Sequence, residues 1–233
     1  MTTPISLAID ASTYIGTVAV WRGASRVAEG EALMRGIDEE RLMPAVIATL
    51  AEGGATLREV TRVVCGGGPG SFTSLRIAAA IAKGIVTGTQ GRATLHAVPS
   101  LALMVGSRVD RLEPGRYLAL LDAMRGERYA QLLRLTDAGT VVVEAEVSRL
   151  AVSEVPAACE RLGARAIGPE EMLEAKPHAR GALAVAGGWD SLPALALEAW
   201  EPAYGRLAEA QVKWETTHGR ALPVSPPLPG ATA

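Results

Sequence analysis

Two aspartates occupy matching places in this chain. Asp10 closes the apolar run Ile5-Ser-Leu-Ala-Ile-Asp, and Asp122 closes Arg116-Tyr-Leu-Ala-Leu-Leu-Asp; a polar or glycine-bearing turn follows each. Carboxylates at strand ends can orient a hydrated magnesium ion, while backbone N–H groups of the next hairpin, here around Ser12 and Thr13, receive phosphates. In a fold of two such halves, the pair would hold ATP in the cleft between them. Taken singly, each aspartate reads more simply as a turn starter that hydrogen-bonds its own backbone. Their paired placement narrows the difference between the two readings.

The stretch Cys65-Gly-Gly-Gly-Pro-Gly-Ser-Phe-Thr-Ser-Leu-Arg-Ile77 is the second place where chemistry is conceivable. A phosphate loop of the strand–GxxxxGK[ST]–helix type needs a lysine just before the helix, and this chain has Gly70-Ser71-Phe72-Thr73 there. Anion binding by the helix N-terminus remains physically open. A structural elbow of Gly68, Pro69, Gly70, Ser71, Phe72 and Thr73 is the better reading, with Ser71, Thr73 and Ser74 as candidate N-caps. Ser71 lacks the Gly-x-Ser-x-Gly frame of a serine hydrolase. His96, His178 and His218 are scattered without a His-x-x-x-His pair, so no metal site is expected.

A chain of 233 residues suffices for one or two domains. A net charge of −2 excludes a globally basic nucleic-acid-binding surface, and 4% aromatic residues leave little for stacking single-stranded bases. Cys65 and Cys159 form no Cys-x-x-Cys pattern, as suits a reducing compartment. The N-terminus carries no signal-peptide pattern, and no apolar run reaches about 18 residues, so a soluble cytoplasmic protein is expected.

Strands are predicted over 5–10, 17–21 and 26–34, joined by the turn Arg22-Gly23-Ala24-Ser25. A helix over 38–52 starts from Asp38, with Pro44 either kinking it or marking its true first turn. Strand 62–65, the helix after the elbow, strand 93–98 and a helix opened by Pro99-Ser100 complete a first half, which implies a mixed sheet covered by helices. Beyond a boundary at 108–115 the pattern restarts with strands 116–122, 128–135 and 140–147. Helices over 153–162, 169–175 and 192–200 and a strand over 183–186 follow. The fold class expected is α/β with two duplicated mixed-sheet domains, 1–107 and a smaller 108–221, before a disordered proline-rich tail, 222–233.

The helix after the elbow has an unusually wide apolar arc. Leu75, Ile77, Ala78, Ala79, Ile81, Ala82, Gly84, Ile85 and Val86 sweep about 220°, where one packing partner needs a stripe of only about 100°. The helix is therefore either buried centrally in one domain or covered by its own sheet on one side and another molecule on the other.

Several segments together resemble the TsaB (YeaZ) family: Leu7-Ala-Ile-Asp-Ala-Ser-Thr13, Gly68-Pro-Gly-Ser-Phe-Thr73 with Leu75-Arg-Ile77, Ala82-Lys-Gly84, Asp122-Ala-Met-Arg-Gly-Glu127 with Tyr129, and Glu201-Pro-Ala-Tyr204 with Arg206 and Glu209-Ala210. The likeness runs in order from about residue 5 to about residue 214. It implies an actin-like ATPase (ASKHA, ribonuclease H-like) fold whose second domain is reduced. It also implies a non-catalytic subunit that stabilises the metal-bearing paralogue TsaD as TsaD transfers a threonylcarbamoyl group to the adenosine beside the anticodon of tRNA. The ATPase TsaE joins that pair, and tRNA is met through the complex. The family's interface helices correspond to 42–50 and 73–87, giving Leu42, Val46, Leu50, Arg76, Ala78, Ala79, Ile81, Ala82 and Ile85 as contacts and a homodimer through the same helices as an alternative. No strongly held cofactor is implied for this chain, only ATP or ADP with magnesium at the partner interface.

This chain departs from the family pattern at Asp38, where a histidine is common, at Ser74 for glycine, at the inserted Met124, and at Gly205 for leucine. The competing reading is an independent actin-like ATPase or small-molecule kinase using Asp10 and Asp122. A peptidase would need a nucleophile–base pair that the sequence does not contain.

Overall fold

The computed structural model describes residues 3–35, 39–205 and 217–219. Asp38, Arg206, Glu209, Ala210 and the tail 222–233 lie outside the described residues.

Strands β1 (Ile5–Asp10), β2 (Ile15–Arg22) and β3 (Ser25–Leu33) form an antiparallel meander, and β4 (Val60–Gly66) and β5 (Thr94–Val98) add in parallel, giving the order β3-β2-β1-β4-β5. Central β1 is buried at every position, which is why it reads as a continuous run and not as an alternation. The second sheet repeats this plan. β6 (Gly115–Asp122), β7 (Glu127–Leu135) and β8 (Val141–Val143) are antiparallel, with β9 (Ser148–Ala151) also paired to β7. β10 (Arg165–Gly168) and β11 (Leu173–Glu174) add in parallel, giving β11-β10-β6-β7-β8. Two sheets with the same order of meander and parallel strands make the duplicated ribonuclease H-like architecture of actin-like proteins.

Helices α1 (Leu42–Glu52) and α2 (Phe72–Gly88) cover one face of the first sheet, sealing Leu7, Ile9, Val18, Val20, Val63 and Cys65. Helix α3 (Ser100–Gly106) is buried at all seven positions because it is shared. Leu103 packs with Ala8, Val64 and Trp21 of the first half, while Leu101, Met104 and Val105 pack with Tyr117 and Leu133 of the second. On the outer face of the second sheet, α4 (Val155–Leu162) covers Leu118, Leu120 and Ala130. After α5 (Ala182–Ala186) the chain returns to the first sheet, where Leu195 N donates to Leu95 O at 2.8 Å.

Several elements differ from expectation. The helix expected from Asp38 begins at Leu42, with Glu40 accepting from the Met43 N–H at 3.1 Å, so Pro44 sits in a true first turn. Residues 183–186 belong to α5 and not to a strand, because their alanines let the segment lie against α3. Residues 192–200 form no helix; they run beside the β5 edge, where Pro193 O meets His96 Nδ1 at 2.9 Å. Residues 169–175 make a turn and β11 instead of a helix. The strand expected over 140–147 stops at Val143, and Glu144 turns to hold Arg116 and Arg134, each at 2.7 Å.

Candidate functional site

The Asp10 carboxylate is fully buried at the end of β1. Its Oδ1 accepts from Ser12 N at 3.1 Å and Ser12 Oγ at 2.7 Å, and its Oδ2 accepts from Ser100 Oγ at 2.6 Å. Ser100 Oγ in turn accepts from Gly68 N at 2.9 Å, and Ser71 N donates to Ser12 O at 2.8 Å. Asp10 thus ties together the first turn, the elbow and the start of α3. Burial raises the pKa of its carboxyl, against the opposing pull of the Ser100 and Ser12 hydrogen bonds. The space around it is closed: a Cβ on Gly66 would lie 1.9 Å from Asp10 Oδ2, and one on Gly70 would lie 2.1 Å from Ser12 O.

Asp122 holds the equivalent position in the second half and makes the equivalent local bond, accepting from Met124 N at 2.9 Å as Asp10 does from Ser12 N. It is exposed, however, and pairs with Arg128 at 3.1 Å; Arg128 also reaches Glu170. The turn between them carries three successive left-handed residues, Met124, Arg125 and Gly126. Thr13 closes a local turn with Ile15 through its hydroxyl.

The structure places Asp10 at the end of β1 with Ser12 and Thr13 on the turn after it, and Asp122 at the matching end of β6. Both Asp10 oxygens are engaged inside the protein, the elbow is folded down onto Ser12, and Asp122 shares Arg128 with Glu170. Gly68, Pro69, Gly70 and Ser71 connect β4 to α2, whose first turn begins with Phe72 and Thr73. Ser71 is the N-cap of α2, with its hydroxyl 3.0 Å from that of Ser74. Nucleophiles are equally unprepared, since burial pushes the Cys65 thiol far up and that of Cys159 up as well. Among the described residues no cluster of His, Cys, Asp and Glu could hold a metal, and no helix is long and apolar enough to cross a membrane.

The wide arc of α2 finds most of its cover within this chain. Ala78, Ala79, Ala82 and Ile85, with Leu42, Val46 and Leu50 of α1, are buried in the chain's own structure. The reason is that α2 packs on β1, β4 and β5 with one face and meets α1 with its flank. Of the expected contacts, Arg76 is exposed and Ile81 half-buried. The outward strip instead consists of Arg76, Ala80, Gly84 and Gly88, bordered by half-buried Ile77 and Ile81, with Ile47 of α1 51% exposed. A Cβ on Gly84 or Gly88 would meet nothing within 4 Å among the described residues.

A second feature beside the elbow was legible only through family likeness. The segment Trp200–Gly205 lies across the start of α2: Ala203 N donates to Gly67 O at 2.8 Å, and the Tyr204 ring packs on Phe72 with centroids 4.6 Å apart. Glu201 accepts from Tyr204 Oη at 2.9 Å and from Lys83 Nζ at 3.3 Å. The Tyr204 bond and Lys83 hold the Glu201 carboxyl low, while burial and Glu201 push the Tyr204 phenol up to about 12. Gly205 then abuts the Tyr129 ring of the second half.

Comparison with known proteins agrees with this geometry. Residues 38–174 match the family profile described as "TsaD: tRNA N6-adenosine threonylcarbamoyltransferase". The chain is 33% identical over 123 residues to the tRNA threonylcarbamoyladenosine biosynthesis protein TsaB of Escherichia coli, covering 53% of this chain and 52% of that protein. It is 30% identical over 126 residues to the protein of the same name from Bacillus subtilis, covering 54% and 53%. The chain spans about half the length of the curated relatives it matches. Among solved structures, a Pseudomonas aeruginosa protein described as uncharacterized with similarity to peptidase YEAZ superposes with a TM-score of 0.71 at 25% identity, over 87% of this chain and 100% of that one.

Proposed function

The chain belongs to the tRNA N6-adenosine threonylcarbamoyltransferase (TsaD) family, in its TsaB (YeaZ) branch, and from that membership we propose that it is a non-catalytic subunit. In this reading it pairs with a TsaD-type paralogue and stabilises it during threonylcarbamoyl transfer to the adenosine beside the anticodon of tRNA, in the cytoplasm. The single observation that carries the pairing is the outward strip of α2. Ala80, Gly84 and Gly88 leave a helix backbone open to close approach, and Ile77, Ile81 and Ile47 border it with apolar side chains. Small residues flanked by isoleucines suit helix-on-helix packing, in which backbones approach to about 8–10 Å.

The absence of a catalytic role for this chain is supported by the internal engagement of Asp10 and the arginine beside Asp122. Any ATP or ADP with magnesium then belongs to the partner side of the interface, as does the docking of a TsaE-type ATPase. Self-pairing through the same strip is the competing occupancy when the paralogue is absent. The test is co-purification with a TsaD-type protein from co-expressing cells, comparing wild type with Ala80→Arg. Undiminished capture by a correctly folded Ala80→Arg chain would place the interface elsewhere.

A further inference from the structure

A groove of about 860 Å³ opens between the two halves at the end of the molecule away from Asp10 and Asp122. Its position follows from strand register. Its walls include Ala24 and Arg26 on the β2–β3 hairpin, whose Gly23 bonds to Pro4 just before β1, and Ala138 and Gly139 on the β7–β8 hairpin, close to the Gly115–Leu135 pair that opens β6. Asp10 pairs with Thr17 and Asp122 with Arg128 at the opposite strand ends. This groove is therefore distinct from the cleft in which such a fold would hold a nucleotide.

The lining is cationic although the chain as a whole carries −2. Among the described residues lining the groove, Arg26, Arg108, Arg111 and Arg180 face two carboxylates, Glu29 and Asp110. Glu29 lies 3.5 Å from both Arg26 Nε and Arg180 Nη1, and Arg180 Nε donates to Ser107 O, so two guanidinium groups are held side by side across the halves. Arg108 has no ion pair among the described residues, and Arg111 meets only the neighbouring Asp110, at 3.7 Å. Trp21, the aromatic residue in the lining among the described residues, is 2% exposed, so among them no ring is available to stack a base.

We infer that this groove binds the phosphodiester backbone of RNA without reading its bases. Several arginines lining one open groove supply the positive charge that neutralises phosphates, and backbone neutralisation without stacking gives sequence-independent, salt-dependent binding. The inference rests on the proposed function for the presence of an RNA substrate, and it assigns this subunit a part in holding it.

The experiment is fluorescence anisotropy of a labelled tRNA transcript with the full chain, alone and with its TsaD-type partner, across a salt series. Wild type is expected to bind with a steep loss of affinity on adding salt. An Arg108→Gln/Arg111→Gln chain should bind about tenfold more weakly, with a log–log salt slope shallower by about 2. Ala138→Glu, which removes no contact and adds an acid to the rim, should weaken binding in the same direction. Unchanged affinity and slope in both variants overturns the inference. So does a wild-type chain that binds inorganic tripolyphosphate but no RNA. Partner capture is measured in parallel: its loss with RNA binding intact sinks the proposed pairing and leaves the groove, and the converse sinks only the groove.

Discussion

Asp10 and Ser100, ninety positions apart, are joined by a 2.6 Å hydrogen bond inside the protein. That bond gives Asp10 a structural role, and a structural and a catalytic aspartate predict different mutant behaviour. Asp10→Ala leaves Ser12 N, Ser12 Oγ and Ser100 Oγ without their acceptor, so a loss of about 3 kcal/mol in denaturant unfolding at pH 7 is expected. Asp10→Asn keeps an acceptor and removes a buried charge, and should stay within about 1 kcal/mol of wild type. The folded-state pKa of Asp10 is raised, so its contribution is fully present below the unfolded carboxyl range and is lost as pH rises through the folded value. The Asn chain should lack that decline. A magnesium–ATP-dependent rise in melting temperature seen in wild type and abolished in Asp10→Asn would contradict this account.

The strap over the elbow should be held by its aromatic ring more than by its hydroxyl. Tyr204→Ala removes the packing on Phe72, worth about 1 kcal/mol, and frees the segment that carries Ala203. Amide exchange at Ala203, whose N–H bonds Gly67 O, should accelerate about tenfold or more. Tyr204→Phe keeps the ring and should change that rate little. Equal acceleration in both variants would make the Glu201 bond the anchor instead.

Much of the first half was legible because its signals are local. The β1 run, the Gly23 turn and the glycine elbow each determine one element, and Asp122 revealed the second meander by repeating the place of Asp10. What was illegible depends on tertiary partners. The run Leu183–Ala186 has no period that separates strand from helix, and only its seat on α3 makes it helical. Residues 192–200 have helix-compatible composition, yet the open edge of β5 claims them through His96 and Leu95. At the site, the apolar arc of α2 suggested an outside partner, but the cover for Ala78, Ala82 and Ile85 comes from the chain itself. Ser100 looked like a helix opener and nothing more, since its bond to Asp10 spans the whole first half.

His178 should make the protein sensitive to mild acid. Its Nδ1 accepts from Arg180 N at 3.0 Å, and its Nε2 lies 3.5 Å from Glu31. Burial first, and then Arg180, lowers its pKa to about 4; Glu29 opposes that shift and Arg26 adds to it. A depressed folded value means that stability is complete above the unfolded histidine range and falls as pH drops toward 4. The loss over that window is expected to reach roughly 2–3 kcal/mol. His178→Asn keeps an acceptor for the turn and does not titrate, so its unfolding free energy should fall less between pH 6.5 and 4. Parallel pH profiles for the two chains would assign the acid sensitivity to other groups.

Gly84 separates stability from pairing most cleanly. It sits inside α2, where glycine costs about 1 kcal/mol relative to alanine, and no described residue within 4 Å of its would-be Cβ excludes a side chain. Folding of the isolated chain therefore gives no reason for glycine there, whereas close approach of a second helix does. Gly84→Ala should raise the stability of the isolated chain by about 0.5–1 kcal/mol. Gly84→Arg should also leave it folded, yet abolish capture of a TsaD-type partner. Ala78→Arg, by contrast, places a charge in a fully buried position and should unfold the chain before pairing can be judged. A Gly84→Arg chain that melts at or above wild type and still captures the partner at full yield would remove the strip from the interface.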